Sequence, residues 1–326
     1  MATLKDVADL AGVTVTTVSR MMNGRANVSE KTRAKIENAM KALGYRPNEV
    51  ARSLAKKTSN LIGLIVPSAK NFFFSCVIER IEAYAAAHGC KLLLCVSDLD
   101  SQKEKEYFNM LLANKVMGII IASHTQNIED FAHMDAPILV IERAPAPNIP
   151  CALTDNFQGG FLAGEHLIAK GCKNLLYLSG HALISVDPNK RYLGFQAACE
   201  KHGVQPPKLY DAPWEEFISM NYEESVEQLF KAYPETDGIL ASNDIMAATI
   251  LRYCDRHGIK VPQQLKVVGY DDTPFASNNT VPLTTIHQPI DELCQFAVSS
   301  LIRIANGEVV PISATFPVYL VERETT

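Results

Sequence analysis

At 326 residues, with 47% apolar and 21% charged side chains and only 17 Gly and 17 Pro, the chain is too long for one small binding module and too apolar for a disordered or collagen-like one. No apolar run approaches the ~18 residues that span a bilayer, and the opening Met1-Ala2-Thr3-Leu4-Lys5-Asp6 lacks a signal peptide's apolar stretch, so the expectation is a cytoplasmic protein with no membrane partner. The net charge of −5 hides a division: residues 1–60 hold 11 Lys and Arg against 5 Asp and Glu, leaving 20 against 31 for the remainder, and a basic head on an acidic body points to a polyanionic partner for the head alone.

Thr3 is placed to N-cap a first helix over 4–10, with Val7, Ala8 and Leu10 on one side, and Gly12 frees the backbone for a turn. Thr14 caps a second helix over 15–22, where Val18 and Met21 or Met22 face the core and Thr16, Thr17, Ser19 and Arg20 are left for water or a partner. A small residue at the helix crossing (Ala8), a glycine in the turn (Gly12) and a β-branched residue locking the second helix (Val18) are what helix-turn-helix packing requires. Ser29 caps a third helix carrying Ile36, Ala39, Met40 and Leu43 to its stop at Gly44. Beyond Pro47, Asn48 caps a short segment, Glu49 to Ala55, too short to be stable alone, before the polar stretch 56–60.

The runs "TLKDVADLAGVTVTTVSRMMNG" and "VSEKTRAKIENAMKALGYRPNEVARSLA" closely resemble the DNA-binding head and hinge helix of the lactose-repressor (LacI/GalR) family of bacterial transcription regulators. The resemblance implies that Val15 and Thr16, at the start of the second helix, read the major groove. It further implies that Ser19 and Arg20 add polar contacts, that Thr3, Thr14 and Asn23 hold phosphates, and that Leu54 is the hinge wedge that pries a base step open from the minor groove. Arg52 and Lys56 flank that leucine on an otherwise polar helix.

From 61 onward, apolar runs at 61–66, 91–96, 116–121, 138–141, 175–178, 238–241 and 265–269 alternate with helical stretches such as 74–88, 103–113, 158–170, 190–202 and 244–257. That alternation predicts parallel sheets with helices on both faces, two sheets in all, with a ligand cleft between them. The eight cysteines have no CxxC pair, so reduced core thiols are expected and no metal cage. Family resemblance extends through "TDNFQGG", "KRYLGF", "ASNDIMA", "VVGYDDTPFA" and "LTTIHQP", and the body is similar to the type I periplasmic-binding-protein-like fold. The expected class is therefore an all-α helix-turn-helix head (1–46), a hinge helix and linker (47–60) and an α/β body (61–326) of two doubly wound parallel-sheet lobes. By the same resemblance the chain crosses between lobes near 155, 285 and 313, giving an N-lobe of about 61–154 and 285–312 and a C-lobe of about 155–284 and 313–326.

Site candidates in the body rest on the resemblance. Arg191, in the RxxGF stretch, looks like an arginine that holds effector oxygens, for which five fixed donors are suited. Asp271 matches an acidic effector ligand at a strand end, while Asp272 could cap the next turn. Trp214 falls where relatives place an aromatic over the ligand ring, with plain core packing the other reading. Phe73 and Phe74 fall in the first strand-to-helix loop, at the other wall of the cleft; Phe72, Phe73 and Phe74 could equally be a helix cap packed inward, and of the three Phe73 is the one expected at the wall. Asn243 and Gln288 match amide ligands or hinge residues, and Asp155 and Arg143 line the cleft or clamp the lobes.

No GxGxxG, P-loop or GxSxG element is present, which speaks against an enzyme. A solute receptor for sugar uptake or signalling would need export and would not need a helix-turn-helix. The reading is a homodimeric repressor without cofactor, bound to a near-palindromic DNA operator and controlled by a small effector, with "TDNFQGG" similar to sucrose-type sugar repressors.

Overall fold

A computed structural model describes residues 2–22, 28–45, 59–122, 136–142, 149–180 and 190–326, and of Trp214 the backbone alone. The chain divides into two compact units, Met1–Ser59 and Asn60–Thr326.

The first unit holds α1 (Leu4–Ala11), α2 (Val15–Met22) and α3 (Glu30–Ala42). Thr3 caps α1 in a reciprocal box with Asp6, and Gly12 closes it in the left-handed region at φ 65°. Ser29 Oγ accepts the Thr32 N–H at 3.3 Å and starts α3. Val7, Ala8, Ala11, Val18, Ile36 and Ala39 form the small core. Leu10, expected inside, is 57% exposed instead. At about 100° per residue, Val7, Ala11, Leu4 and Ala8 fall within one arc and Leu10 lies beyond its edge. The expected hinge helix lies outside the described residues.

The second unit contains two six-stranded sheets. The first is built from β1 (Leu61–Val66), β2 (Lys91–Val96), β3 (Gly118–Ile121), β4 (Ile138–Ile141), β5 (Cys151–Thr154) and β11 (Ser313–Phe316), in the order β11-β5-β4-β3-β1-β2. The helices α4 (Phe72–Ala87) and α12 (Ile290–Ala305) cover one face through Val77, Ile81, Val298 and Leu301, and α5 (Ser101–Ala113) covers the other through Phe108 and Leu111. Both faces are buried, so β1, β3 and β4 are continuous apolar runs without alternation.

The second sheet comprises β6 (Leu175–Ser179), β7 (Lys208–Asp211), β8 (Gly238–Ala241), β9 (Lys266–Asp271), β10 (Thr284–His287) and β12 (Tyr319–Val321), ordered β12-β10-β9-β8-β6-β7. The helices α6 (Asn156–Ala169) and α7 (Lys190–Lys201) pack on one face, α9 (Glu223–Ala232) and α10 (Asp244–His257) on the other; α8 (Trp214–Ser219) and α11 (Pro274–Ser277) are short. All pairings are parallel except β10 with β12. All eight cysteines are free, seven of them buried and Cys76 half-buried.

Strand pairing fixes where the chain passes between the lobes. The first passage is at Asp155, between β5 and α6. The second is at residues 288–289 rather than near 285, because Thr284–His287 pair with β9. The third is at residues 317–318 rather than near 313, because Ser313–Phe316 pair with β5.

Candidate functional site

In the first unit, Thr14 Oγ1 accepts the Thr17 N–H at 3.2 Å and caps α2. One turn on, Val18 is fully buried while Val15 is 42% exposed, so the start of α2 presents an apolar side chain beside exposed Thr16 and Arg20. Ser19 is half-buried and Thr3, though exposed, shares its hydroxyl with Asp6 in the cap. Asn23, Arg52 and Leu54 lie outside the described residues.

In the second unit, a buried polar network joins the carboxyl ends of the two sheets, where open α/β sheets place their ligands. Arg191 stands in the first turn of α7 and is only 6% exposed. Its Nε donates to Asn156 Oδ1 at 2.7 Å, its Nη1 donates to the Ser242 carbonyl at 2.7 Å, and the guanidinium lies 3.6 Å over the Tyr270 ring. Burial works against its charge, but Tyr270, Asp271, Tyr177 and Glu142 outweigh that and raise its pKa.

Asp271 ends β9 in the left-handed half of backbone space, at φ 110°, which a non-glycine residue keeps only where its surroundings hold it there. Gln288 donates its Nε2 to Asp271 Oδ1 at 2.6 Å and accepts from Thr154 Oγ1 at 2.9 Å, so the second passage ties a strand end of one lobe to a strand end of the other. Burial pushes the Asp271 carboxyl well above the usual carboxylate range, with Arg191 opposing it. Its neighbour Asp272 accepts from Arg323 Nη2 at 2.6 Å and lies 2.8 Å from His287 Nδ1, so it anchors the last strand instead of capping a turn.

Several site residues were not foreseen from sequence. Glu142, just past β4 at φ 52°, accepts the Thr154 N–H at 2.5 Å and the Asn156 Nδ2 at 2.7 Å; burial raises its pKa against those hydrogen bonds. Asn156 thus bridges Glu142 of the first lobe and Arg191 of the second. Its place inside "TDNFQGG" was a usable signal, as was the strand-end position of Glu142. Asp244, at the start of α10, accepts from Thr285 Oγ1 at 2.6 Å and Thr273 N at 3.0 Å, and burial pushes its carboxyl up to about 7.

Other candidates take places that the sequence left open. Phe73 and Phe74 are each 7% exposed, packed edge-on to one another in the apolar core. Phe72 is the exposed member of the trio, stacked at 5.1 Å on Phe275 of α11 in the other lobe. Asp155 and Asn243 serve as N-caps, accepting from Gln158 N and Met246 N, each at 2.9 Å. Arg191 and Asp271 come from the same lobe, so the opposite wall is supplied by Glu142 and Thr154. Trp214 opens α8, but its side chain and Arg143 lie outside the description.

Asp244 carries a pH prediction. Its pKa is higher folded than unfolded, so the fold retains a proton that the unfolded chain releases, and stability should fall as pH rises from about 4 to about 7. Above that window the whole loss is present. Asp244→Asn keeps an acceptor for Thr273 and should flatten this slope in thermal melts between pH 5 and 8, by up to roughly 2 kcal/mol. An unchanged slope would mean that another group sets it.

Among known proteins, a sucrose operon repressor from Streptococcus mutans is 38% identical over 100% of this chain and 99% of its own length. The model for bacterial regulatory proteins of the lacI family matches residues 3–48, and that for a periplasmic binding protein-like domain matches residues 165–326. The chain belongs to the LacI family. Like that family it is a DNA-binding transcription regulator and not an enzyme. A lac repressor dimer bound to operator and the anti-inducer ONPF superposes with a TM-score of 0.86 at 32% identity, covering 99% of this chain and 98% of that one. A LacI-type regulator from Alkaliphilus metalliredigens in complex with D-xylulofuranose gives 0.75 at 34% identity, covering 82% of this chain and 99% of that one. No helix among the described residues is long and apolar enough to cross a membrane.

Proposed function

We propose that this regulator represses a sugar-utilisation operon: a homodimer holds a near-palindromic operator through its heads, and a sugar bound between the lobes changes operator affinity. The observation that carries the effector half is the buried chain Glu142–Asn156–Arg191, with Asp271–Gln288–Thr154 beside it, because both runs of hydrogen bonds span the lobes. A ligand that exchanges hydroxyls for these partners alters the balance between lobe arrangements, and it can do so only by its difference in affinity for them. Arg191, Asp271 and Gln288 are the polar ligands in this reading, and Phe72 replaces Phe73 at the cleft edge. On the DNA half, exposed Val15 and Thr16 at the start of α2, with exposed Arg20 in its last turn, match a recognition helix. The sucrose operon repressor, the operator-bound lac repressor dimer and the D-xylulofuranose complex are relatives that fit both halves.

The test of the DNA half is selection from random duplexes followed by anisotropy titration at several salt concentrations. Near-palindromic sites should be enriched and affinity should fall steeply with salt, since basic heads release condensed counterions. Leu54→Ala should weaken operator binding by about 1–3 kcal/mol and retain the salt-dependent nonspecific part. Equal loss on operator and random DNA would count against a wedge, and enrichment of no palindrome would count against the dimeric repressor.

A further inference from the structure

The hydrogen bonds that tie the two lobes run through the passages: Asn156, beside the first, holds Glu142, and Gln288, in the second, holds Thr154 and Asp271. A link of a different kind stands away from them. Phe72 opens α4 in the first lobe, Phe275 lies in α11 of the second, and their rings stack at 5.1 Å with 19° between their planes. In the first sheet α4 follows β1, three strands along from β5, where the first passage leaves; at about 4.8 Å per strand that is roughly 14 Å. A contact so far from the passages resists parting of the lobes with a lever that the passages lack.

Both rings are carried on fixed ends. Asn71, itself buried, accepts the Phe73 N–H at 2.9 Å and starts α4 with Phe72 turned out of the core. In the other lobe Asp244 accepts the Thr273 N–H at 3.0 Å and the Thr273 hydroxyl at 3.3 Å, and the Thr273 carbonyl accepts the Ala276 N–H at 2.8 Å, which seats Phe275 between two held residues. The buried Asp244 thus supports a ring at the cleft edge.

We propose that Phe72 and Phe275 are positioning residues that form an aromatic latch: the stack holds the lobes together without effector, and a ligand of the cleft must part the rings to enter. Stacked rings contribute beyond the area they bury, and a ligand's apparent affinity falls with the fraction of protein in the form that admits it. The latch therefore sets the effector concentration at which operator binding responds. This goes beyond the sugar reading and is tested without a sugar.

Cys76 is the probe. It lies four residues after Phe72 on the same face of α4, and burial, then Glu79 and the Asp271 carboxylate of the other lobe, raise its thiol pKa. It is half-buried, whereas the other seven cysteines are buried. The full chain, free of ligand, is labelled with fluorescein maleimide; peptide masses give the rate at Cys76, and melting curves confirm folding. Phe275→Leu, which keeps an apolar side chain of similar bulk but no ring to stack, should label about 3-fold faster than wild type, and Phe275→Ala about 10-fold faster. Phe72→Leu should match Phe275→Leu, and the double leucine variant should be no faster than either, because losing one ring already breaks the stack. Leucine variants at the wild-type rate, or two effects that multiply in the double variant, overturn the latch, since the rings would then only cover the thiol. A wild-type Cys76 that reacts as fast as in the urea-unfolded chain overturns it too. Each of these results leaves the sugar reading standing.

Discussion

Gly160→Ala should destabilise the body by about 3 kcal/mol or more, toward the upper end of what overpacking costs. A Cβ at Gly160 would lie 1.8 Å from the Arg191 carbonyl oxygen, and one at Gly194 would lie 1.9 Å from that of Phe157. Both obstacles are backbone, so no rotamer change relieves them. The helices α6 and α7 would have to part, and Arg191 rides on the second of them. Gly159, next in line, faces the Tyr270 hydroxyl, at 2.2 Å from a Cβ, so the same close approach also seats the ring beneath the guanidinium. Calorimetry of Gly160→Ala beside the exposed control Gln158→Ala provides the check. A wild-type melting point for the glycine variant would show that the helices are not in this contact.

Arg191→Ala and Asp271→Asn should each weaken the cognate sugar by about 100-fold while leaving effector-free operator affinity unchanged. Truncating the arginine strips Asn156 Oδ1 and the Ser242 carbonyl of their donor, and each unpaired buried group costs on the order of 1–3 kcal/mol. Part of that loss falls on folding, which is why the milder Asp271→Asn is paired with it: the amide keeps an oxygen for Gln288 to donate to. The head is a separate compact unit, so operator binding without effector should survive both changes. Calorimetric titration of each variant, with melting curves to confirm folding, measures the effect. Wild-type sugar affinity in both would place the ligand elsewhere in the body.

Local chemistry was legible from the sequence. Thr3 and Ser29 cap helices because their hydroxyls reach the backbone N–H groups three residues on, and Gly12 sits where a left-handed turn is needed. Strands buried on both faces read as apolar runs, so β1, β4 and β8 keep their expected limits. What failed to show was anything decided by pairing across the chain. The strands β11 (SATF) and β12 (YLV) lie at sheet edges with little buried surface, and the last two lobe passages shifted accordingly. Three consecutive phenylalanines on one helical turn point about 100° apart, and only the neighbouring sheet decides that Phe73 and Phe74 go inward and Phe72 outward. Glu142 was passed over for a related reason: its strand-end position was a weak cue, because a lone acid after an apolar strand reads as a solvated loop end until Thr154 and Asn156 are brought beside it.

The central claim is that one ligand in the cleft changes what the head does. Anisotropy of a labelled selected palindrome, titrated with wild-type protein and with Asp271→Asn, each with and without the sugar that binds in calorimetry, tests it directly. Saturating sugar should shift the wild-type operator dissociation constant by about 5- to 150-fold, the usual range of coupling between sites, and should leave the variant unmoved at that concentration. A wild-type curve that does not move while calorimetry shows the cleft filled would contradict the account, because binding would then be uncoupled from the DNA.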